Sequence, residues 1–466
     1  MSEATAGADQ KLPAERIDRG AWSWALFEWA RNPYVILCGV YVFAPYVTNI
    51  VVGDPVRGQV ALAGWHTISG ITVAITAPFL GAAADSMRRR KPLLAAILAL
   101  MIPAMALQWF AMPGGGGLPL WGVGAAIIVA GICFAWTEVL HNAMITSVTP
   151  PRLIPAVSGL GLALGNLASV FLLVFVLVTI ALPGTVLPGQ PLFGLDPAAH
   201  EPARSVTIIC ALWLLVFSVP LFLYSPDGAA GGGAKFGDAL LKGADSVVNT
   251  LRKLWASHRN VGLFLLARMF YADGTTAILI FSGAYAAGVM GWDLMEMLLY
   301  GIVLSIVAVG GGFTGPKLES VLGSRNAVAL QVVMIFVCLM AMVSMSPTSV
   351  LFMPVEPALL WDGPVFQTLP EVAYLGASML IAIAITGAIA SGRSLMAKLC
   401  PPGMEGELFG LYALANAATV WLGPLLVERF TSIYDSQRAG FAAIGILLLI
   451  GAIILMFVKA PAERAA

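Results

Sequence analysis

Twelve apolar segments, most of about twenty residues or more, run through the chain between short polar or Gly/Pro-rich breaks. A helix needs about 20 mostly apolar residues to cross a bilayer, whereas a strand of a membrane barrel needs about ten with strict alternation. The segments therefore predict an all-α membrane protein with twelve transmembrane helices. The predicted spans, numbered 1 to 12 in chain order, are 24–52, 60–84, 92–111, 119–142, 156–181, 204–224, 260–290, 294–314, 326–346, 372–398, 406–428 and 439–459.

Composition agrees with an integral membrane protein and excludes an ordinary soluble domain. Hydrophobic residues make up 59% of the chain and charged residues 11%, against about a quarter charged in soluble domains. The first twenty residues carry Glu, Asp and Lys, without a short apolar core or a small-residue cleavage site. We therefore expect no signal peptide, and we expect span 1 to stay attached.

The distribution of Lys and Arg predicts the orientation of the spans. With the N-terminus inside, the cytoplasmic segments hold 19 of the 25 Lys and Arg residues, and the outer loops hold four. The remaining two, Arg31 and Arg268, lie inside or at the edge of spans. This positive-inside asymmetry predicts that both termini are cytoplasmic. We expect a multi-pass protein of a bacterial-type cytoplasmic (inner) membrane.

Six spans stand on either side of the longest predicted cytoplasmic loop. The loop begins Gly-rich and continues with apolar residues at near-helical spacing between Lys and Arg, which predicts a flexible linker and an amphipathic helix on the inner membrane surface. We expect an N-terminal tail, a six-helix bundle, the linker, a second six-helix bundle and a C-terminal tail, at residues 1–22, 23–225, 226–259, 260–460 and 461–466. The six-plus-six division predicts an internal duplication.

One short motif recurs at corresponding places in the two halves. The chain reads GAAADSMRRRKPLL after span 2 and GPKLESVLGSRNAV after span 8, each with a Gly, an acid four residues on, and a basic end. Gly lets helices approach, the acid can bond helix N-terminal amides, and the bases can bind headgroups or a partner acid. The motif predicts a latch that holds one conformation of two sliding halves, whereas a plain positive-inside loop would explain only the bases. Its residues are Gly81, Asp85, Arg88, Arg89, Arg90, Gly315, Glu319 and Arg325.

The stretch GAAADSMRRRKPLL resembles the signature between helices 2 and 3 of the major facilitator superfamily, with Ala83 and Met87 in place of the usual Leu and Gly. Four further stretches resemble its vacuole-effluxer-like, autophagy-related branch. They are WALFEWARNPY, LHNAMITSVTPP with SGLGLALGNLA, LARMFYADGTTAILIFSGAYAAGV, and SGRSLMAKLCPPGMEGELFGLYALANAATVWLGPLL. Within them Glu28 replaces the branch's usual Asp, Arg31 its usual Asn, and Asn166 an expected Tyr.

This resemblance covers essentially the whole chain. It implies the major facilitator fold, in which two pseudo-symmetric six-helix bundles move a solute by alternating access. The branch includes vacuolar amino-acid exporters, so amino-acid transport is an expectation that the resemblance carries.

Ionisable residues inside the spans need a physical reason, because each costs from about 3 to above 10 kcal/mol there unless it is paired or hydrated. In span 1, Glu28 and Arg31 are three residues apart and share one helical face, with Asn32 beside them. They are either an ion pair near the cytoplasmic entrance, with Arg31 extending inward, or part of a substrate or proton site.

Span 4 carries a second polar group, formed by Glu138, His141 and Asn142 on one helical face. His titrates near neutral pH, and a carboxylate taken out of water beside it can exchange protons. These three residues are therefore candidates for binding the substrate or a proton. The alternative is a structural cluster that fastens span 4 to span 1 or span 2.

Span 7 carries the third group, Arg268, Tyr271 and Asp273. Spans 1 and 7 correspond in the duplication, so we predict that Glu28 and Asp273 flank the pseudo-twofold axis as two acids of one shared central site. For Asp273 the alternative role is helix packing or capping.

No motif predicts a cofactor, a metal or an enzymatic reaction. The five cysteines are scattered and odd in number, and the four histidines show no ligand spacing with Cys or carboxylates. The P-loop pattern GxxxxGK[ST] does not occur, so we expect no drive by ATP. The expected partners are a small-molecule substrate, protons and membrane lipids, without nucleic acid, and we expect a monomer.

Together these patterns predict a secondary active transporter, not an enzyme. It is expected to move a small polar or charged organic solute, amino-acid-like or otherwise carboxylate-bearing, across the cytoplasmic membrane with proton coupling. Arg31 is expected to add positive charge near the cavity and to favour an anionic or carboxylate-bearing solute. Two alternatives stay open, namely a lipid-like or larger amphiphilic substrate and a channel.

Overall fold

The computed structural model of the protein describes residues 17–86, 89–182, 192–227, 257–356, 358–401 and 405–460. Most of the predicted N-terminal tail, the predicted C-terminal tail and the amphipathic helix predicted in the linker lie outside these residues. The main helices are α1 (Arg19–Val51), α2 (Pro55–Ser86), α3 (Lys91–Leu107), α4 (Leu120–Val148), α5 (Ile154–Val176), α6 (Glu201–Tyr224), α7 (Arg259–Met290), α8 (Leu294–Leu322), α9 (Ser324–Val343), α10 (Leu369–Leu399), α11 (Glu405–Thr419), α12 (Leu422–Tyr434) and α13 (Gln437–Phe457). A two-stranded antiparallel hairpin, β1 (Ser349–Val350) and β2 (Met353–Pro354), lies between α9 and α10.

Within the described residues, eleven helices are long and apolar enough to cross a membrane, and they match predicted spans 1 to 10 and span 12. Span 11 is broken into α11 and α12, of 15 and 13 residues. Pro424 explains the break, because it has no N–H for the carbonyl of Val420 and its ring clashes with that carbonyl. The eleventh crossing is therefore made by two short helices in series.

The helix α1 is irregular because it contains prolines. Pro33 has no N–H to bond the carbonyl of Trp29, four residues earlier, and that carbonyl instead accepts a hydrogen bond from Trp213 Nε1 of α6 at 2.8 Å. After Pro33 the helix continues through wider, π-helical turns at Tyr34–Tyr41 and Val47–Val51.

Twelve crossings return the chain to the face of the bundle from which it starts, which we call the terminal face. Asn260 at the start of α7 bonds there to the backbone of Lys459, just after α13, through both its Nδ2 and Oδ1 atoms. The other end of the bundle, where α1 is followed by α2 and α12 by α13, is the opposite face.

The two halves, α1–α6 and α7–α13, repeat the same helix-end contact at the terminal face. Lys91 at the start of α3 donates from Nζ to the carbonyl of Phe222 near the end of α6, at 2.9 Å. Arg325 at the start of α9 donates to the carbonyls of Leu455 and Met456 at the end of α13, at 3.1 and 2.6 Å. A cation at a helix C-terminus interacts favourably with the helix dipole, so in each half the third span caps the sixth.

Glycines bring the two halves into backbone contact from the middle of the bundle to the opposite face. A Cβ added at Gly70 of α2 would lie 2.7 Å from the Trp421 Cα, and Gly283 of α7 packs on the carbonyl of Val40. Only residues without a side chain allow this approach.

Hydrogen bonds join the halves beside these glycines. Gln59 Nε2 donates to Thr431 Oγ1 at 2.7 Å and to the Gln437 carbonyl at 3.1 Å, and Gln437 Nε2 donates to the Pro55 carbonyl at 2.9 Å. We call the contact surface of α2 with α12 and the start of α13 the seal. The seal closes the space between the halves at the opposite face.

Candidate functional site

The two charges of α1 are paired within the N-terminal half. Arg31 is buried and donates from Nε to Glu28 Oε2 at 3.1 Å and from Nη2 to Glu28 Oε1 at 3.0 Å. The three-residue spacing on one helical face makes this two-pronged contact possible. Glu28 and Arg31 thus form an ion pair, one of the two alternatives that the sequence left open, and Glu28 neutralises the charge of Arg31 locally.

His141 of α4 is fully buried against α1. Its ring stacks on Trp24 with centroids 4.1 Å apart, and its Nε2 lies 2.8 Å from the Trp24 carbonyl oxygen. A carbonyl oxygen only accepts, so Nε2 carries the proton that it donates. The other ring nitrogen, Nδ1, faces Glu28 Oε1 at 3.2 Å, outside hydrogen-bond geometry. Both nitrogens of His141 are thus directed at α1.

Glu138 is the exposed acid of this cluster. Its side chain is 51% exposed, and its Oε2 lies 3.7 Å from Arg31 Nη2, farther than either oxygen of Glu28. A carboxylate in lipid would be very costly, whereas one anchored beside a buried ion pair can face water between the halves. The N-terminal half therefore presents one acid whose charge is only partly neutralised.

The two predicted amides lie away from this ion pair. Asn32 donates from Nδ2 to Ser169 Oγ of α5 at 3.2 Å, and Ser169 in turn bonds to the Gly165 carbonyl. A Cβ at Gly165 would lie 3.2 Å from Asn32 Cβ, so α1 and α5 are closely packed here. Asn32 thus joins two helices, and Asn142 is exposed on α4.

In the C-terminal half, Arg268 of α7 lies over Tyr412 of α11. Its Cζ is 3.5 Å from the ring centroid, and its Nε donates to the Tyr412 carbonyl at 3.1 Å. The hydroxyls of Tyr271 and Tyr412 each lie 3.1 Å from the Cβ position of Gly392 on α10, so the glycine leaves room for both. Among the described side chains, no acid lies within ion-pair distance of Arg268. Aromatic and backbone groups hold this cation without neutralising it.

Asp273 occupies a different setting from Glu28. It is 0% exposed, and its Oδ2 accepts a hydrogen bond from the backbone N–H of Gly423 at the start of α12, at 3.0 Å. Its Oδ1 is buried and has no hydrogen-bond partner among the residues that the structure describes. The geometry is that of a helix cap, the alternative role that the sequence left open for Asp273.

The helix register explains why the two acids do not meet. Glu28 is the tenth residue of α1, which begins at Arg19, and Arg268 is the tenth residue of α7, which begins at Arg259. Asp273 lies five residues farther along α7. Counted from the helix starts, Arg268 corresponds to Glu28, and in the described contacts Glu28 bonds to Arg31 whereas Asp273 bonds to Gly423.

The repeated loop motif makes a side-chain cluster in the C-terminal half. Glu319 Oε1 accepts hydrogen bonds from Ser394 Oγ and Lys398 Nζ of α10 and from Ser324 Oγ of α9, at 2.5, 2.6 and 2.6 Å. Gly315 packs on the backbone of Gly387, 3.1 Å from its Cβ position. These contacts fasten α8 to α10, which belong to the same half.

The N-terminal copy of the motif is described only in part. Arg88 and the side chain of Asp85 lie outside the described residues. Gly81 is in ordinary contact with Val139, Arg89 is exposed, and Arg90 donates from Nη1 to Ser147 Oγ at 3.1 Å. The prediction that the motif latches the two halves stays a prediction.

Sequence reasoning missed two residues that hold the site. Trp24 and Tyr412 act through their rings and also through backbone carbonyls, and residue type does not reveal the carbonyl contacts. The pairing of Lys398 with Glu319 was not predicted either, because the two residues are 79 positions apart in the chain. For Tyr412 the available signal was its place in LFGLYALANAATVWLGPLL, opposite the YADGTT segment of span 7.

Comparison with known proteins gives a family and a fold. The family model described as vacuole effluxer Atg22 like matches residues 64–466. An uncharacterized MFS-type transporter of Bacillus subtilis (strain 168), YxiO, is 24% identical over 457 residues, which is 95% of this chain and 96% of that protein. Autophagy-related protein 22 of Cryptococcus neoformans var. neoformans serotype D (strain B-3501A) is 24% identical over 319 residues, 65% of this chain, and the chain covers 52% of that protein's length.

Among solved structures, a D-xylose-proton symporter superposes with a TM-score of 0.65 at 11% identity, covering 96% of this chain and 99% of that one. The nucleoside transporter NupG superposes with a TM-score of 0.61 at 13% identity, covering 94% and 98%. These likenesses show the fold, a two-bundle transporter architecture.

Proposed function

The chain belongs to the family of vacuole effluxer Atg22-like proteins, and from this premise we propose that it carries a small organic solute bearing both an amine and a carboxylate, by alternating access. It is a multi-pass membrane transporter with the fold of MFS proteins. The proposal concerns the solute, its coupling to protons and the membrane in which the protein works.

The arrangement of charges carries this proposal. The N-terminal half offers Glu138, an exposed acid only loosely bonded to Arg31, and the C-terminal half offers Arg268, a cation without a described acidic partner. Counted from the helix starts, Arg268 corresponds to Glu28, and Arg31 links Glu28 to Glu138, which supports similar levels for the two unbalanced charges in the two bundles. The amine of the solute would bind Glu138, and its carboxylate would bind Arg268, because a guanidinium can donate two parallel hydrogen bonds to a carboxylate.

Proton coupling is supported by the contact between His141 and Glu28. Since Nε2 donates to the Trp24 carbonyl, Nδ1 faces Glu28 with a lone pair unless a further proton is present. The lone pair of Nδ1 and a carboxylate oxygen 3.2 Å away repel each other, and a proton on Nδ1 replaces this repulsion by attraction between opposite charges. This dependence on one proton is the observation that supports proton coupling.

We place the terminal face in the cytoplasm of a bacterial-type inner membrane, following the Lys and Arg distribution. With this orientation the seal closes the outer side, and Glu138 and Arg268 are reached from the cytoplasm. The family model that matches the chain is described as vacuole effluxer Atg22 like, so efflux is the direction of transport that we propose.

Binding of three matched solutes tests the requirement for two charges. An amino acid, its decarboxylated amine and its deaminated acid are added to the purified protein, and thermal stabilisation is measured. We expect stabilisation by the amino acid at concentrations where neither analogue has an effect. Each of Glu138→Gln and Arg268→Gln should weaken binding about tenfold or more, because a charge-assisted bond contributes about 1.5–3 kcal/mol.

The exposed Arg152, which lies between α4 and α5 and outside the loop motif, supplies the control, since Arg152→Gln also removes a charge and should bind as the unaltered protein does. Equal stabilisation by the amine or by the acid alone would contradict the proposal. So would full retention of binding in both site variants.

A further inference from the structure

The helix α7 holds both sides of the break in the eleventh span. On the α11 side, Thr419 Oγ1 donates to the carbonyl of Met269 at 2.9 Å. On the α12 side, the backbone N–H of Gly423 donates to Asp273 Oδ2 at 3.0 Å. The first amides of a helix have no partner within that helix, so a carboxylate there satisfies an N–H that the break leaves open. We call these two bonds the clamp.

The fit between α7 and the start of α12 leaves no room for a side chain. A Cβ added at Gly423 would lie 2.7 Å from the Ala277 Cβ and 3.2 Å from Asp273 Oδ1. The backbone of α12 therefore rests directly on α7 at this point, and the direction in which α12 leaves the break depends on the contact with Asp273.

The same short helix carries the C-terminal side of the seal. Beside the break, the backbone of Trp421 packs on Gly70 of α2. Near the C-terminal end of α12, Thr431 accepts the hydrogen bond from Gln59 of α2. Between them Glu428 lies 3.7 Å from the Cβ position of Gly64. Thus α12 is held by α7 at its beginning and by α2 along its length.

The groups around Asp273 are apolar side chains and the backbone of α12, which indicates a role in positioning that helix. The neighbouring helix α13 presents Leu447 and Leu448 beside Gly274, and Arg268 lies more than one turn away on Tyr412. Asp273 is fully buried, and its bonded oxygen is directed at the backbone of α12.

We propose that Asp273 is a positioning residue that fixes the start of α12, and that the break at residues 420–421 is the hinge by which α12 leaves α2 when the opposite face opens. Asp273 acts through α12 and does not touch the solute. The inference rests on the proposed alternating access, but its test needs no solute, so an error in the assigned solute leaves it intact.

The separation of α2 and α12 at the opposite face is the quantity to measure. Arg57 near the start of α2 and Ile433 near the end of α12 are both exposed. In a background in which the five buried cysteines are replaced, spin labels at Arg57→Cys and Ile433→Cys report this distance by double electron–electron resonance in proteoliposomes.

The unaltered chain should give mainly the short, sealed distance. Asp273→Ala should raise the long-distance fraction several-fold, whereas Asp273→Asn should stay near the unaltered chain, because its amide carbonyl can still accept from Gly423. Thr276→Val is the matched control, since Thr276 bonds only to the Ala272 carbonyl of its own helix in the described hydrogen bonds. It should leave the distance unchanged.

Gly423→Ala provides a second approach that keeps Asp273. Its added methyl group should displace α12 and raise the long-distance fraction even if Asp273→Ala does not fold. An unchanged distance distribution in Asp273→Ala, or in Gly423→Ala where the first variant cannot be purified, would overturn the inference. An equal shift in Thr276→Val would overturn it as well, because the effect would then not pass through the clamp.

Discussion

Glu28 and Arg31 share two hydrogen bonds on the buried side of α1, and His141 approaches the same carboxylate from α4. Taking either charge out of water alone would be costly, and the pair offsets much of that cost because the guanidinium fork matches the carboxylate. The spacing of three residues made the pair predictable from sequence. The role of His141 was not, since its proton position depends on a carbonyl of Trp24, 117 residues away.

The buried pair leads to a prediction about stability. Glu28→Ala leaves the buried Arg31 with Glu138, at the longer distance of 3.7 Å, as its one described acidic partner, so we expect it to lower the free energy of unfolding by about 3 kcal/mol. The double variant Glu28→Ala/Arg31→Met removes both charges and should be more stable than Glu28→Ala alone. Unfolding in detergent, with the exposed Arg89→Met as control, measures the effect. The single variant Arg31→Met completes the comparison. If the loss of unfolding free energy in the double variant equals the sum of the losses in Glu28→Ala and Arg31→Met, the two residues do not stabilise each other.

At the scale of elements, span 11 shows what a hydropathy pattern contains and what it omits. The apolar run at 406–428 correctly predicted a crossing, because hydropathy is a local property of the chain. It did not predict that Pro424 would divide the crossing, although Gly423–Pro424 is a recognisable helix-breaking pair. The clamp could not be predicted from the sequence, because Asp273 and Gly423 are 150 residues apart in the chain.

Contact between elements leads to a prediction about conformation. Gly70→Ala places a methyl group 2.7 Å from the Trp421 Cα, so we expect overpacking to cost the sealed state about 1–3 kcal/mol and to favour opening at the opposite face. The label pair at Arg57 and Ile433 should report a larger long-distance fraction. Gly376→Ala is the matched control, because nothing lies within 4 Å of its Cβ position. If the labels in Gly70→Ala keep the short distance of the sealed state, the contact between Gly70 and Trp421 does not control the opening of the two halves.

At the scale of the whole molecule, one bundle holds an exposed acid and the other holds a cation without a described acidic partner, and the proposed solute rests on this arrangement. Lys91 and Arg325 cap corresponding helices, and the two halves meet at the seal. The twelve crossings, the two halves and the family followed from hydropathy and motifs. The predicted sharing of one site by Glu28 and Asp273 is not among the described contacts, in which Glu28 bonds to Arg31 and Asp273 bonds to Gly423.

Exchange of labelled solute in proteoliposomes tests the central claim, alternating access to one site that recognises an amine and a carboxylate. Vesicles loaded with an unlabelled amino acid that binds are diluted into the labelled amino acid. The account predicts a transient accumulation of label above its outside concentration, absent in vesicles loaded with the matched amine, and a further rise in accumulation when a proton gradient is imposed. Uptake that neither saturates nor depends on solute inside the vesicles would contradict it, because a channel behaves in that way.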